Sequence, residues 1–272
     1  NANGQVNQET FPDGYTIKND YTSAGYMNET DDITNGTAIW TANAMNPFGQ
    51  YINYTLGNNI TTQKSFTDYD LPSEISAPGI QDLELDFDPL GGNLTKRTDN
   101  INNLSESFLY DKYDRLTSAQ VAGQKARTSC DASSGNGNFT SKVGIGNYGY
   151  NNAPQLNQVT QVDNTNGNIN SVKQAIAYAP FNKPLSISQG DYQYNVLHYG
   201  PDQSRKQVQL NSTSTGLQYT RTYIGDYENT IIGANTDIIS VHYINCGGYT
   251  VAMYVTTSTG SMMYYIYTDH LG

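Results

Sequence analysis

The stretch "LYDKYDRLTS", residues 109–118, decides how this chain folds. An apolar residue and an aromatic lead into an acid, three residues of turn chemistry follow, and Arg115 returns the chain to alternation. The same cadence recurs. Its heads are Tyr21 in "YTSAGYM", Met45 in "MNPFGQY", Phe66 in "FTDYDL", Phe87 in "FDPLGGNL", Tyr110, and Cys130 in "CDASSGNGNF", spaced by 24, 21, 21, 23 and 20 residues. Beyond Cys130 the pattern weakens. Tyr178 in "YAPFNKPL" and Tyr199 in "YGPDQSRK" are still 21 apart, and "VDNTNGNI" from Val162 reads as a copy in poor register.

The fourth residue after each head is Gly25, Gly49, Asp70, Gly91, Asp114 or Ser134, the last followed by Gly135. Glycine and aspartate are the types that tolerate a positive φ, which tight turns demand. The residue after the head is an acid in three copies, Asp88, Asp111 and Asp131, whose short carboxylate can accept from backbone amides inside the turn. Each unit therefore reads as strand, tight turn, returning strand, with Cys130 a small buried hydrophobe in the place of the aromatic. Asp111, Asp114 and Arg115 then make a turn cap with a surface ion pair, a better fit to their spacing than a catalytic carboxylate pair.

A unit of about 22 residues cannot bury its own aromatic face and must stack on its neighbours. The expectation is an all-β chain of antiparallel hairpins forming one elongated or curling sheet. The period is too short for a four-stranded propeller blade, and the leucine-rich signature is missing. Composition agrees, with 23 Tyr and 25 Gly against one Trp; tyrosine suits a pleated half-buried surface and glycine suits turns. In "DYQYNVLHY" (191–199) alternation puts Tyr192, Tyr194, Val196 and His198 on one face. "VHYINCGGYTVAMYV" (241–255) reads as a hairpin about Cys246, Gly247 and Gly248, and "MMYYIYTDHLG" (262–272) as a strand leaving the body. The best helical window, "SAQVAGQKAR" (118–127), is interrupted by Gly123, so a short turn is the most it should form.

A net charge of −11 repels phosphate backbones and argues against nucleic acid as a partner. No window is long and apolar enough for a membrane span, and "NANGQVNQET" lacks the marks of a signal peptide. The abrupt end at Gly272 leads us to expect a piece of a longer protein. The two cysteines, Cys130 and Cys246, sit in no metal or redox motif, and a disulfide between them is not expected.

At "YDKYDRLT" and "FDPLGGNLT" the chain resembles the RHS/YD-repeat family, whose units follow an approximate Y-D-x-x-G-R-L/V pattern. "YYIYTDHLG" (264–272) is similar to the tyrosine-rich strand and Asp-His-Leu-Gly that open the RHS-associated core, and "YTRTYIGDYE" (219–228) to the segment before it. The resemblance divides the chain into regular repeats (1–150), degenerate repeats (151–218) and a segment leading into the core (219–272). Its signature positions here are Tyr21, Gly25, Phe66, Asp70, Phe87, Asp88, Gly91, Tyr110, Asp111, Arg115, Cys130, Asp131, Tyr178, Tyr199, Asp269, His270 and Gly272. It implies hairpins that spiral into a hollow shell, in large bacterial proteins that are secreted or displayed at the cell surface. Many of these are polymorphic toxins enclosing a variable C-terminal effector, which would be this chain's partner; related animal proteins use the shell in adhesion. Departures are plain. Asp114 replaces Gly, Thr22 and Thr67 replace Asp, and Cys130 replaces Tyr, all compatible with positions that only turn or pack.

No catalytic, metal or cofactor site is expected. Asp269 and His270 have no nucleophile tied to them by a motif, and neighbours in a strand face opposite ways. His198 and His242 are too scattered for a metal centre. The family's self-cleaving aspartyl protease lies beyond the Asp-His-Leu-Gly signature, so "FDPLGGN" (87–93) is a repeat turn. The glycine-rich "GNGNFTSKVGIGNYGYNN" (135–152) lacks the residues of a phosphate loop. The Asn-x-Ser/Thr triplets at Asn28, Asn35, Asn53 and Asn93 are what an Asn-rich chain contains by chance. The tyrosine ladders are the open contest, since they can pack across strands or stack on sugar rings, and packing is the simpler reading. The expectation is a non-enzymatic shell segment, with a carbohydrate-binding or adhesion module as the alternative.

Overall fold

The computed structural model describes residues 4–124, 128–130, 138–150, 159–163, 167–168, 175–181, 183–233 and 237–271, without the side chains of 128–130 and 139. Every regular element among them is a β-strand, and no helix is long and apolar enough to cross a membrane. The strands fall into two compact units. In chain order, β1 (Gln8–Thr10), β2 (Thr16–Tyr21), β3 (Met27–Asp32), β4 (Thr37–Met45) and β5 (Tyr51–Leu56) belong to the first. The second holds β6 (Thr61–Phe66), β7 (Pro72–Ala77), β8 (Gln81–Phe87), β9 (Leu94–Asp99), β10 (Leu104–Tyr110) and β11 (Leu116–Val121), then β12 (Thr128–Cys130), β13 (Phe139–Lys142), β14 (Gly146–Gly149) and β15 (Gln161–Val162). The chain then returns to the first unit with β16 (Ala175–Tyr178), β17 (Pro184–Gln189), β18 (Tyr192–Tyr199), β19 (Arg205–Ser212) and β20 (Gly216–Ile224). It continues with β21 (Tyr227–Ile232), β22 (Asp237–Cys246), β23 (Tyr249–Thr257) and β24 (Gly260–Tyr265).

Pairing follows the sequence with no crossover. Within the first unit the orders are β1-β2-β3-β4-β5 and β16 through β24; within the second, β6 through β11 and β12 through β15. Within each of these orders neighbouring strands pair antiparallel, as expected where turns are too short for anything but a hairpin. The described part of the window, 118–124, holds no helix: Ser118–Val121 completes β11, paired to β10, because the partner strand offers ladder bonds that an uncapped, Gly-interrupted helix cannot match. Lys125–Arg127 lie outside the described residues.

In the first unit the two sheets face each other across a single core. One contributes Ile17, Ile39, Trp40, Tyr54 and Leu56, the other Tyr227, Ile244, Cys246, Val251 and Ala252. Trp40 is almost wholly buried, edge-on to Tyr51 with ring centroids 5.0 Å apart. A side chain of this kind contributes about 2 kcal/mol on removal from water. Gly57 lets the layers close. Its amide donates to the Ile39 carbonyl at 2.9 Å, and a Cβ there would overlap the Ala38 carbonyl and the Tyr265 hydroxyl. In the second unit β7 and β8 bury Ile75, Ala77, Leu83 and Leu85 on one face by simple alternation, joined by Val121.

Two expectations need correcting. In β18 alternation holds only through Val196. There a bulge at Leu197 pairs Val196 with Val208 but His198 with Gln207, so His198 swings to the other face and is exposed while Val196 is buried. Second, the terminal stretch does not leave the body as a strand: β24 pairs with β23 as far as Tyr265, and the Ile266 amide still donates to the Val251 carbonyl at 2.9 Å.

Candidate functional site

The repeat heads share one backbone device. Tyr21, Met45, Phe66, Phe87, Tyr110, Cys130, Tyr178 and Tyr199 are each the last residue of a strand, and at each the ladder register slips. The turn that follows is closed twice. The amide after the head donates to the carbonyl four residues on (Thr22 to Tyr26, 2.8 Å; Asp111 to Arg115, 3.0 Å), and the amide at head plus four donates back (Gly25 to Thr22, 2.9 Å; Asp114 to Asp111, 3.0 Å). That geometry needs a left-handed residue at head plus four, supplied by Gly25 (φ 89), Gly49 (φ 83), Asp70 (φ 64), Asp114 (φ 59) and, after Tyr199, Gln203 (φ 58). Gly91 is the exception among those expected. The Phe87 turn carries one extra residue, closing from Asp88 to Asn93, and the left-handed position moves to Gly92 (φ 69). A Cβ on Gly91 would crowd the Asp88 carboxylate and the Asn93 amide instead. Ser134 and Asp131 lie outside the described residues, as does Gly272.

The residue after the head accepts from the amides it encloses, which explains the drift in type. Asp111 Oδ1 accepts from Tyr113 and Arg115 amides at 2.9 and 3.1 Å, and its Oδ2 from Arg115 Nε at 2.7 Å. The Arg115 hydrogen bond, helped by those amides, holds the Asp111 carboxyl below the usual range. Thr22 Oγ1, Thr67 Oγ1 and Asn46 Oδ1 accept the same way, so they replace aspartate without loss of the turn. Three head tyrosines also reach backward. Tyr21, Tyr110 and Tyr199 donate their hydroxyls to the carbonyls of Val6, Leu94 and Pro184 at 2.8, 3.0 and 2.5 Å, fastening the last two heads to the strand before and the first to the chain just ahead of β1. Tyr178 instead is exposed.

Asp269 and His270 do not face opposite ways, because they lie in irregular chain after β24. Asp269 Oδ2 receives Arg97 Nη1 at 3.1 Å, and Arg97 also grips its cross-strand partner Glu106, Nε to Oε2 at 2.9 Å. Asp269 Oδ1 accepts from the Leu271 amide at 2.9 Å. His270 is nearly buried, edge-on to Phe87, with Nδ1 4.0 Å from Asp269 Oδ2. Desolvation lowers its pKa, and Asp269 only partly opposes this. The pair is an anchor for the chain's last described turn.

A buried polar contact that the sequence reading did not single out lies in the core of the first unit. His242, on β22 and wholly buried, places Nε2 2.9 Å from both carboxylate oxygens of Asp13 and Nδ1 2.8 Å from the Tyr254 carbonyl. Both ring nitrogens thus face oxygen atoms within hydrogen-bond reach. Phe11, Tyr15, Tyr227 and Tyr254 surround the ring at centroid distances of 4.9 to 5.5 Å. Asp13 sits in the β1–β2 turn, so the pair staples one sheet of the first unit to the other. Nearby, the Cys246 thiol donates to Thr30 Oγ1 at 3.2 Å, and Thr30 to Asn19 Oδ1 at 2.8 Å. Cys246 is a free thiol, and burial pushes its pKa up to about 12. Among the described residues no three His, Cys, Asp or Glu side chains gather as a metal site.

Solved structures containing TcdB2-TccC3 superpose on nearly the whole chain. TcdB2-TccC3-Cdc42 does so with a TM-score of 0.74 over 98% of this chain at 17% identity, and TcdB2-TccC3-TEV with 0.69 over 98% at 15%. The fold is shared with these toxin chains. The Photorhabdus luminescens Tc holotoxin pore carrying TccC3-D651A matches 94% of the chain with a TM-score of 0.65 at 15% identity. The chain spans only 16%, 16% and 15% of these three chains, in the order given. No protein-family model matches the sequence, and no curated protein does.

Proposed function

We propose that this chain is a wall segment of an RHS/YD-repeat shell, secreted or displayed at a bacterial surface, that encloses a C-terminal effector of the same polypeptide. The observation that carries the reading is the coincidence of two patterns. Hairpins pair strictly in chain order with the same bulged head and left-handed turn, and the TcdB2-TccC3 chains share that fold over almost every residue. One of those neighbours is described as TcdB2-TccC3 without hypervariable C-terminal region, a part that in this protein would be the cargo. The mechanism is steric. Backbone hydrogen bonds close along the wall, and the enclosed polypeptide is kept from solvent and from the producing cell. We assign no reaction to the segment: Asp269 is held by Arg97, and His270 has its proton affinity lowered by burial rather than raised for acid–base work.

The test is limited proteolysis of the full-length polypeptide carrying this segment. Its C-terminal region should resist a protease that digests the same region expressed alone, and mild denaturant should abolish the protection. Equal digestion rates would reject enclosure.

A further inference from the structure

We propose that the rim of head turns in the second unit docks a basic, proline-rich polypeptide held in the polyproline II conformation. The third residue after the head is large and apolar in four successive turns, Phe48, Tyr69, Leu90 and Tyr113, where turn chemistry asks only for small or polar residues. The last three belong to the second unit, at the tips of hairpins in one sheet, and are 68%, 97% and 62% exposed. Between the first two of these turns runs a groove of 380 Å³, lined by Thr67, Asp68, Tyr69, Leu71, Phe87 and Pro89. An apolar row of this kind, rimmed by acids, marks a surface for another polypeptide.

The spacing selects the ligand's conformation. Successive head turns of this sheet lie two strands apart, about 9.6 Å at ordinary strand spacing. A polyproline II helix repeats every three residues, about 9.3 Å, so one of its edges returns to each apex in turn. A strand's side-chain repeat of about 6.6 Å and a helix turn of about 5.4 Å fall out of step with the apices. The apices are also set in advance. Each turn is closed by backbone hydrogen bonds, and Asn93 Nδ2 donates to Asp114 Oδ1 at 2.7 Å, stitching the Phe87 turn to the Tyr110 turn. Charge then sets the ligand's composition and direction. Asp68 and Asp70 flank Tyr69, are exposed, and enter no ion pair among the described residues. At the other end Lys112 Nζ and the Arg115 guanidinium already lie 4.9 and 5.4 Å from the centre of the Tyr113 ring. The ligand's cations therefore belong beside Tyr69, and its uncharged residues over Leu90 and Tyr113.

The experiment is fluorescence anisotropy of the 272-residue chain with a dye-labelled dodecapeptide of two Pro-Pro-Arg repeats followed by two Pro-Pro-Leu repeats. It should bind. A peptide with Gly-Ser in place of each Pro-Pro has the same charge but must be ordered on binding, and should bind about tenfold more weakly or worse. Glutamate in place of arginine should abolish binding. Tyr69→Ala should weaken binding about tenfold, with an unchanged melting temperature because the ring is exposed. Asp68→Asn combined with Asp70→Asn should weaken it about threefold. Absence of binding, equal binding of the Gly-Ser or glutamate peptide, or full affinity in the Tyr69→Ala variant would overturn the assignment.

Discussion

Replacing Asp13 with alanine should cost the first unit about 3 kcal/mol. His242 is fully buried, with one ring nitrogen 2.9 Å from Asp13 and the other 2.8 Å from the Tyr254 carbonyl. With Asp13 gone, one nitrogen of a buried ring loses its hydrogen-bond partner. Removing one partner of a fully buried pair costs about 3–5 kcal/mol. Asp13 retains 30% side-chain exposure, so water can partly replace it and the low end applies. At about 2–4 °C per kcal/mol for a chain of this size, the melting temperature should fall by roughly 6–12 °C. Asp13→Asn keeps an acceptor for Nε2 and should cost less. Urea unfolding of Asp13→Ala, His242→Leu and the double variant forms the cycle, in which the double variant should recover much of the loss. An Asp13→Ala change below about 0.5 kcal/mol, or strictly additive losses, would refute the staple.

Other outcomes follow from the same geometry. Because His270 has a lowered pKa when folded, the unfolded chain binds its proton first as pH falls; stability is therefore full above the ordinary value of 6.5 and declines below it, and His270→Gln should flatten that decline in pH-resolved melting curves. Asp114→Ala, at φ 59, should cost about 1 kcal/mol in urea unfolding while Asp114→Gly stays nearer the wild type, which would not hold if the turn relaxed to a negative φ. Gly57→Ala should destabilise by about 1–3 kcal/mol, since one of the overlapping atoms is backbone and cannot rotate away. In a Cys130→Ser background Cys246 should stay unreactive to a thiol reagent until denaturant is added, and prompt labelling of the native protein would contradict its burial.

The hairpin order was legible because it is written locally. Each head, the residue after it and the left-handed fourth position lie within five residues, and turn chemistry fixes their conformation before any long-range contact forms. The shift from Gly91 to Gly92 escaped because one inserted residue moves the closure from Arg115-like spacing to Asn93, and two adjacent glycines leave the choice open. The bulge at Leu197 escaped for a related reason, since a slip in register leaves the alternation of residue types unchanged. The pairing of Asp13 with His242 joins residues 229 apart, and that of Cys246 with Thr30 joins residues 216 apart. Both depend on which faces of two sheets meet, which no local pattern encodes. One clue was present: "FPDGY" (11–15) contains an Asp-Gly turn, and the Gly14 amide closes on the Phe11 carbonyl at 2.9 Å as in the repeat turns.

Electron cryomicroscopy of the full-length polypeptide tests the central claim most directly. The account predicts these hairpins continuing edge to edge into further hairpins around a closed chamber, with density for the C-terminal region inside. An open sheet with that region folded outside in solvent would contradict it.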